Sequence, residues 1–445
     1  MKHLASIIIA CVISTSAGQA QTKTLSECIS MGIDNNLTLN NALTGIKKGQ
    51  MAVTQNRSRL LPVIQGVAQF TDYLKSPVNV TTGTLLGNDF PEEPTWQTIK
   101  SMQYNTQAGI MLTVPIFNKT IFAGIDVAKT VEDISHLSYE AAKEALTVQI
   151  AKLYYMAQAS KEQLRLTMIN IDRMNELCEI TEALYEQGMV MEVDLNRVKI
   201  NSQMLLTEHS MQHTLHTQQL NMLRYLMDMP IEAPLEVEPI DSTVAPISTA
   251  SPSRSLPELL LAEKQKALID KQIKGIKAEY LPSLSLTGYA GGLGYNEKFS
   301  QFADNWFGNC YVGISLKFPI FDANSKKLRI RQHRYDAIQA QNNIDIQKKL
   351  IDKNYADAIL QMNRNIEIAS TQNKCREQAE SVYKIAEEQY KEGIASMTSL
   401  LQDDMQLRTA QSSCIQAICQ CKLAQLDLLK LSGQLNLLSD NRNIK

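Results

Sequence analysis

Two long segments of this chain carry apolar residues at three- and four-residue spacings, which is the pattern of an amphipathic helix. They cover residues 118–229 and 320–432, contain no proline, and each has a glycine near its middle, Gly188 or Gly393. We predict that each segment forms a long helix, a turn at that glycine and a returning helix. The first long helix is expected over residues 119–187, which at 1.5 Å per residue is about 100 Å of coiled-coil helix.

Four other segments alternate apolar and polar residues with a period of two, as strands with one apolar face do. They occur in two pairs, "LPVIQGVAQFTDYL" with "MQYNTQAGIMLTVPIF" and "LPSLSLTGYAGGLGY" with "NWFGNCYVGISLKFPIF". Each pair is predicted to form a hairpin that leads into a long helix through "VPIF" or "FPIF". Residues 75–101 are predicted to be the loop between the strands of the first hairpin.

The start of the chain predicts export. A basic start precedes an apolar run over residues 4–13, and small residues follow at Gly18 and Ala20. This arrangement is typical of a secretory signal peptide, here over residues 1–20, with an N-terminal anchor as the alternative. Lipidation at Cys11 is not expected, because cleavage there would leave too short an apolar segment. No later segment has the eighteen or more consecutive apolar residues that are typical of a membrane-spanning helix.

Two architectures fit the predicted strands. A soluble sheet with one wet face explains the alternation, whereas export, strand length and aromatic residues near strand ends favour an outer-membrane barrel. Four strands cannot close a barrel, and open strand edges are not tolerated in lipid, so several chains would have to build it together. The side chains predicted to face water are Gln103, Asn105, Gln107, Ser315 and Lys317, and those predicted to face lipid are Ile110, Leu112, Val312 and Ile314.

Charge and cysteine content exclude two classes of protein. The formal net charge is −2, so the chain lacks the basic surface of a nucleic-acid-binding protein. An odd number of cysteines follows the signal peptide, without paired spacing, which argues against a disulfide framework. One disulfide is possible and none is required. These cysteines are Cys28, Cys178, Cys310, Cys375, Cys414, Cys419 and Cys421.

Histidines and methionines are the only candidates for metal chemistry. His209, His213 and His216 share one helix face and are weak candidates for a transition-metal site, but a solvated polar stripe is the favoured interpretation. Several methionines are assigned to helix packing rather than to a copper path: Met168, Met174, Met204, Met211 and Met222. The chain has no nucleophile motif, phosphate loop or carboxylate pair, so we expect neither an enzyme nor a cofactor.

The two halves of the chain repeat the same order of elements. "YEQGMVMEVDL" begins at Tyr185 and "YKEGIASMTSL" begins at Tyr390, and both place a glycine three residues after the tyrosine. We therefore predict a tandem duplication. Its parts are a signal peptide (1–20), a first repeat of helix, β-hairpin and helical hairpin (21–227), a proline-rich linker (228–254), a second repeat (255–433) and a C-terminal tail (434–445).

The order of these motifs resembles the TolC family of outer-membrane efflux proteins over essentially the whole mature chain. The resemblance is carried by "TLSECISMGIDNNLTLNNA", "SLPELLLAEKQ", "LP" before each hairpin, "PIF" after each hairpin and the two Tyr-x-x-Gly turns. It implies an α+β membrane protein, a homotrimer whose twelve-stranded β-barrel, four strands per chain, continues into a long coiled-coil α-helical barrel in the periplasm. It also implies that the turns dock a periplasmic adaptor, itself bound to an inner-membrane pump of the RND or ABC type.

The resemblance assigns roles to residues in and after the turns. The positions that match the adaptor-docking turns are Tyr185, Gly188, Met189, Val190, Tyr390, Gly393, Ile394 and Ala395. Helix capping alone is the alternative role of the two glycines. The candidates for the periplasmic aperture are Asp194, Ser399, Gln402, Asp403 and Asp404. The chain departs from the best-known latch of the family, since Ala395 replaces its basic residue and Ser399 and Gln402 replace its acidic pair.

Two functions of different classes follow. The favoured one is a passive trans-periplasmic exit duct of a tripartite efflux or type I secretion system. The alternative is a non-conducting coiled-coil scaffold or adhesin of the cell envelope. The amphipathic hairpins favour the duct, because a scaffold has no need of them. Drugs, metal ions and secreted protein all stay open as cargo.

Overall fold

The computed structural model describes residues 22–82, 96–241, 243, 251–301 and 304–438. The predicted signal peptide, with Cys11, lies outside the described residues, as do residues 439–445 of the predicted tail.

Helices make up most of the described chain. They are α1 (Leu25–Asn35), α2 (Leu37–Ser58), α3 (Lys119–Glu186), α4 (Glu192–Leu226), α5 (Pro257–Ala278), α6 (Ser325–Lys391) and α7 (Met397–Ser432). The strands are β1 (Thr22–Lys23), β2 (Val63–Asp72), β3 (Val78–Thr82), β4 (Trp96–Lys100), β5 (Tyr104–Phe117), β6 (Glu236–Val237), β7 (Ser283–Asn296) and β8 (Trp306–Lys317). The predicted helix pairs are confirmed, since α3 and α4 flank Gly188 and α6 and α7 flank Gly393. None of the helices described carries an apolar, sparsely charged stretch long enough to cross a membrane.

The four predicted strands form one antiparallel sheet in the order β2-β5-β7-β8. Each predicted hairpin is present, and β5 pairs with β7 to join the two hairpins. In one row across the sheet, Gln65 lies opposite Met111, Met111 opposite Tyr289, and Tyr289 opposite Tyr311. Opposite residues share a face, so over nearly the whole sheet odd-numbered positions lie on one face and even-numbered positions on the other. The apolar positions predicted on β5 and β8 therefore share the even-numbered face.

Glycines on the odd-numbered face make room for an aromatic ring. A Cβ atom at Gly109 or Gly291 would lie only 2.7 or 2.6 Å from the hydroxyl of Tyr289. Gly109 and Gly291 are opposite each other in the sheet. The Tyr289 side chain is buried there and stacks on Tyr311 with ring centroids 5.7 Å apart. Any larger residue at either glycine would displace that ring.

Two short strand pairs were not predicted. β3 pairs with β4 inside the segment 75–101, so the prediction of a loop there is wrong in part. The five residues of each strand are too few for a period-two pattern to stand out. β1 pairs in parallel with β6, which lies in the predicted linker, and each of these strands has only two residues.

The described residues belong to two compact units, and each unit takes segments from both halves of the chain. Of the described residues, those within Met1–Thr44, His136–Leu261 and Asn343–Lys445 belong to the helical unit, and those within Gly45–Ser135 and Ala262–Asn342 belong to the sheet unit. In the sheet unit, ion pairs connect segments that precede and follow the strands. Lys264 contacts Asp133 at 2.8 Å, and Arg329 contacts Glu279 through two bonds of 2.9 and 3.1 Å.

Two of the apolar cores in the helical unit each combine side chains of several helices. One contains buried side chains of α1, α3, α4 and α7, among them Ile29, Ile150, Leu223 and Leu426. The other lies near the turns and combines α3, α4, α6 and α7, among them Leu177, Val198, Tyr383, Leu400 and Leu407. The second core holds the four helices together close to the points where they turn.

The seven cysteines of the described chain are all free. Four are buried, and burial raises the pKa of the Cys28 thiol to about 12. A thiol whose pKa is raised this far carries almost no thiolate, so it packs as a small apolar group. The disulfide that the sequence left open does not form here.

Candidate functional site

The first long helix ends in a glycine turn. The amide of Gly188 donates to the carbonyl of Tyr185, and the amide of Met189 donates to the carbonyl of Leu184, both at 2.9 Å. Gly188 has a φ of +70°, in the left-handed region. These bonds define a Schellman helix end, which a residue without a Cβ atom adopts at the lowest cost.

The second long helix ends in the same way. The amides of Gly393 and Ile394 donate to the carbonyls of Tyr390 and Gln389 at 3.0 and 2.8 Å. The φ of Gly393 is +75°. The shared Tyr-x-x-Gly pattern thus encodes one backbone conformation at two places in the chain.

Apolar side chains stand exposed beside both glycines. Met189 and Ile394, one residue after each glycine, are largely exposed. A Cβ atom at Gly188 or Gly393 would meet no atom within 4 Å. The glycines are therefore required by their backbone conformation and not by crowding within the chain. Exposed apolar residues at matched positions are typical of a contact surface.

The two turns differ in how far they are buried. Tyr185 is exposed, whereas Tyr390 is buried in the core near the turns. Val190 and Ala395 are both half-buried. The first turn therefore presents more apolar surface than the second.

The residues that precede the two returning helices have nearly the same backbone conformation but different side-chain capping. Met191 and Ser396 precede α4 and α7 with nearly the same φ and ψ. The Ser396 hydroxyl accepts a hydrogen bond from the amide of Ser399 at 3.3 Å, and Met191 forms no side-chain cap. Met191 is exposed, which adds a third large apolar side chain to the first turn.

Arg197 connects the starts of the two returning helices. Its guanidinium donates to the carboxylate of Asp194 at 2.9 Å and to the hydroxyl of Thr398 at 3.2 Å. Asp194 lies in the first turn of α4, and Thr398 lies in the first turn of α7. The arginine is about half exposed, so this contact contributes no more than about 1 kcal/mol.

The five aperture candidates do not form one cluster. Ser399 and Gln402 are exposed, Asp194 and Asp403 are half-buried, and Asp404 is buried. Asp404 faces the helix packing instead of the surface that Gln402 faces. The structure therefore separates Asp404 from the other four candidates.

Asp404 sits in a buried ion-pair cluster that joins three helices. Its carboxylate contacts Arg173 of α3 at 2.7 Å and Arg408 of α7 at 2.8 Å. The Arg173 guanidinium also donates to Asn170 at 2.9 Å and lies 4.4 Å from the ring centroid of Tyr383 on α6. A cation over an aromatic face is attracted to the ring, most strongly where water is excluded. We call these five residues the Asp404 cluster.

Most of the Asp404 cluster was missed in the sequence. Arg173 and Asp404 are 231 positions apart, so no local spacing connects them. The one available signal was the spacing of four residues between Asp404 and Arg408, which is typical of an ion pair along a helix.

The three histidines do not converge on one point. The rings of His209 and His213 are 6.5 Å apart, while His216 contacts the Ser160 hydroxyl at 2.8 Å. Burial lowers the pKa of His216, and Lys161 and His213 lower it further. In the part of the chain that the structure describes, no group of three or more His, Cys, Asp or Glu side chains is arranged to hold a metal ion.

Comparisons with known proteins agree with this arrangement. The family model described as "Outer membrane efflux protein" matches residues 28–227 and 254–434. The probable efflux pump outer membrane protein TtgC of Pseudomonas putida is 26% identical over 308 residues, which are 66% of this chain and 61% of that relative. The outer membrane protein TolC of Escherichia coli is 20% identical over 366 residues, 79% of this chain and 74% of that relative.

A solved structure shows the same fold. The outer membrane channel CmeC of Campylobacter jejuni superposes with a TM-score of 0.72, over 92% of this chain and 85% of that one, at 15% identity. This chain spans about three-fifths of the length of the Pseudomonas putida relative. The family model matches most of the chain, which confirms the resemblance inferred from the sequence. The chain therefore belongs to the outer membrane efflux protein family and is located in the outer membrane, extending into the periplasm.

Proposed function

We propose that this protein is the outer-membrane exit duct of a tripartite efflux or type I secretion system. One observation supports the proposal above the others. A sheet with one apolar face and two unpaired edges leads into long helices, and those helices end in two matched turns with exposed apolar side chains. A scaffold or adhesin would have no use for that sheet. Cargo passes through the duct passively, and partner proteins supply the energy.

Three copies form the duct. Among the strands that the structure describes, β2 and β8 each pair along one edge only. Backbone groups left unpaired in lipid cost several kcal/mol each, so the free edges must be paired by other copies. Three copies supply a twelve-stranded barrel, and their long helices continue it into the periplasm.

The turns dock a periplasmic adaptor. Six turns, two from each copy, form a ring in which Met189, Ile394 and their neighbours contact the helical ends of the adaptor. The adaptor in turn binds an inner-membrane pump, of the RND or ABC type. The open space around Gly188 and Gly393 supports this role, because a partner can approach the backbone there.

Asp194, Ser399, Gln402 and Asp403 line the periplasmic aperture beside that ring. Asp404 has a different task, because its carboxylate is already held by two arginines. It fixes α7 against α3 and so sets the position of the aperture residues next to it.

Valine in place of both glycines tests the docking role. A β-branched residue at a φ near +70° costs more than about 1–2 kcal/mol, so Gly188→Val with Gly393→Val should deform both turns. We expect export and adaptor co-purification to fall about tenfold or more while trimer yield is kept. Alanine at both positions should cost less. Asparagine, which tolerates a positive φ, is the matched control and should retain both activities.

Two results would contradict this role. Full export with normal adaptor recovery in the double valine variant would mean that the turns do not dock a partner. Loss of trimer in step with loss of export would show that the glycines only let the helical hairpins fold.

A further inference from the structure

The two "PIF" segments lie in different surroundings although both lead from a strand into a long helix. In the first half, β5 continues through this segment, and Phe117 lies opposite Leu284 of β7 after a bulge. In the second half, β8 ends at Lys317, and residues 318–321 follow outside any strand. One segment therefore has a neighbouring strand, and the other has none.

The missing neighbour leaves apolar surface exposed on both free edges of the sheet. Phe117 is 44% exposed, but its counterpart Phe321 is 83% exposed. Leu284, which lies opposite Phe117, is half-buried, but its counterpart Ile64 on β2 is 70% exposed. β2 begins and β8 ends at the same end of the sheet, so both exposed surfaces lie toward that end.

The backbone that enters β2 matches the backbone that enters β7. The amide of Leu61 donates to the carbonyl of Ser58 at 3.0 Å, and the amide of Leu281 donates to that of Ala278 at 3.1 Å. In both places the strand begins two residues later, after a proline. β2 is thus the counterpart of β7, residue for residue from the "LP" pair.

The sequence that leaves β8 matches the sequence that leaves β5, although the backbones differ. Ala323 and Asn324 have positive φ values of 52° and 63° before α6 begins, whereas α3 begins directly at Lys119. The amide of Ile121 donates to the carbonyl of Asn118 at 3.2 Å, and the amide of Ser325 donates to that of Asp322 at 3.1 Å. Asn118 and Asp322 each follow directly after "PIF". β8 is thus the counterpart of β5, and the contact of β5 with β7 is a template for the contact of β8 with β2.

We propose that β8 extends through residues 318–321 when it pairs with β2 of the next copy, in the register that β5 and β7 adopt within one chain. The proposal rests on the proposed function, which supplies the shared barrel. The template places these residues of β8 opposite these residues of β2 in the next copy: Ile314 and Phe70, Ser315 and Gln69, Leu316 and Ala68, Lys317 and Val67, Phe318 and Gly66, and, after the bulge, Phe321 and Ile64.

This register satisfies two physical requirements. It places even-numbered positions opposite even-numbered ones up to the bulge, so the apolar face continues from one copy to the next. A register shifted by one residue would interrupt that face. It also places Phe318 opposite Gly66, where a Cβ atom would meet nothing within 4 Å and an aromatic ring has room. A register shifted by two residues would keep the apolar face continuous but would no longer place Phe318 opposite Gly66. The experiment must therefore distinguish registers that differ by two residues.

Paired cysteines measure the register. The background carries Cys310→Ser and Cys375→Ser, because both of these cysteines are exposed. The Cβ atoms of directly opposite residues are about 4.5–5.5 Å apart, and those of residues offset by two positions are about 7–8 Å apart. A disulfide needs a Cβ–Cβ distance of about 4 Å. On oxidation in the outer membrane, Leu316→Cys with Ala68→Cys should give about tenfold more covalent trimer than Leu316→Cys with Gly66→Cys or with Phe70→Cys. Ser315→Cys with Gln69→Cys repeats the test on the other face.

An independent assay of assembly separates the possible failures. An amine-reactive crosslinker reports whether the background protein is a trimer. If the protein is a trimer but Leu316→Cys crosslinks most strongly with Gly66→Cys or Phe70→Cys, the proposed register is overturned and the proposed function is left intact. Crosslinking of Leu316→Cys alone would show that β8 meets β8, which also overturns the register. Absence of trimer in the background overturns the proposed function and the register together.

Discussion

Asp404 shows how one buried carboxylate can hold several helices in place. It contacts Arg173 and Arg408, whose side chains are 20% and 19% exposed. Removing its charge leaves two arginines close together with no negative charge between them. Breaking a buried ion pair in this way costs about 3–5 kcal/mol, and partial exposure of the arginines reduces that figure because water can reach them.

We therefore expect Asp404→Asn to destabilise the helical unit by about 2–3 kcal/mol. The measurement is the unfolding midpoint of the purified protein, together with amide hydrogen exchange near residue 404. The double variant Asp404→Asn with Arg173→Gln should lose less stability than the sum of the losses in the two single variants, because both residues act in one cluster.

Asp403 is the matched control for this prediction. One step along a helix turns a side chain by about 100°, so Asp403 faces different surroundings from Asp404. It is half-buried and has no ion pair among those found in the described chain, so Asp403→Asn should change stability by less than about 0.5 kcal/mol. Equal effects of the two substitutions would show that the Asp404 cluster does not stabilise the protein. The sequence alone cannot distinguish two adjacent aspartates, because their surroundings come from helices far away in the chain.

At the scale of helices and strands, most of the fold follows from periodicity. Spacings of three and four predicted the long helices to within one residue for α3, and alternation predicted all four strands of the main sheet. The glycine turns follow from chemistry, since the left-handed conformation selects glycine. β3 and β4 were missed because five residues carry too little pattern. The unequal ends of β5 and β8 were missed because the two "PIF" segments are identical and differ only in what lies beside them.

The two faces of the sheet make a second prediction. Ile314 and Ser315 are adjacent on β8 and lie on opposite faces at nearly the same depth. If the even-numbered face meets lipid, Ile314→Arg places a charge in hydrocarbon at a cost of about 2–4 kcal/mol near the middle of the membrane. Ser315→Arg points into the water-filled lumen and should cost far less. The measurement is the yield and thermal stability of the trimer extracted from the outer membrane.

Adjacent residues on one strand make this comparison internally controlled. Both substitutions add the same side chain and change β8 in the same way, so only the surroundings of the two faces differ. If Ile314→Arg assembles as well as Ser315→Arg, the even-numbered face does not meet lipid and the sheet is not part of a membrane barrel.

For the whole molecule, the number of copies follows from the sheet and from the need for a passage. In the described part of one chain, the main sheet has two unpaired edges, and lipid does not tolerate such edges. Two copies would close eight strands, but the inside of an eight-stranded barrel is just wide enough for its own side chains. Three copies give twelve strands and a lumen. An exit duct therefore requires at least three copies, which is the number that the family resemblance implies.

We expect the detergent-extracted protein to be a trimer, and the seam between copies to be necessary for it. The amides of Ile314 and Leu316 point to one edge of β8, and the amide of Ser315 points to the other. Proline has no amide hydrogen, so the variant among Leu316→Pro and Ser315→Pro whose amide faces the next copy should reduce trimer yield severalfold. The other variant is the control for general damage to β8. Amine-reactive crosslinking and native mass spectrometry report the number of copies. If the unmodified protein is found only as monomers or dimers, the shared barrel is excluded, even if the helical unit is folded.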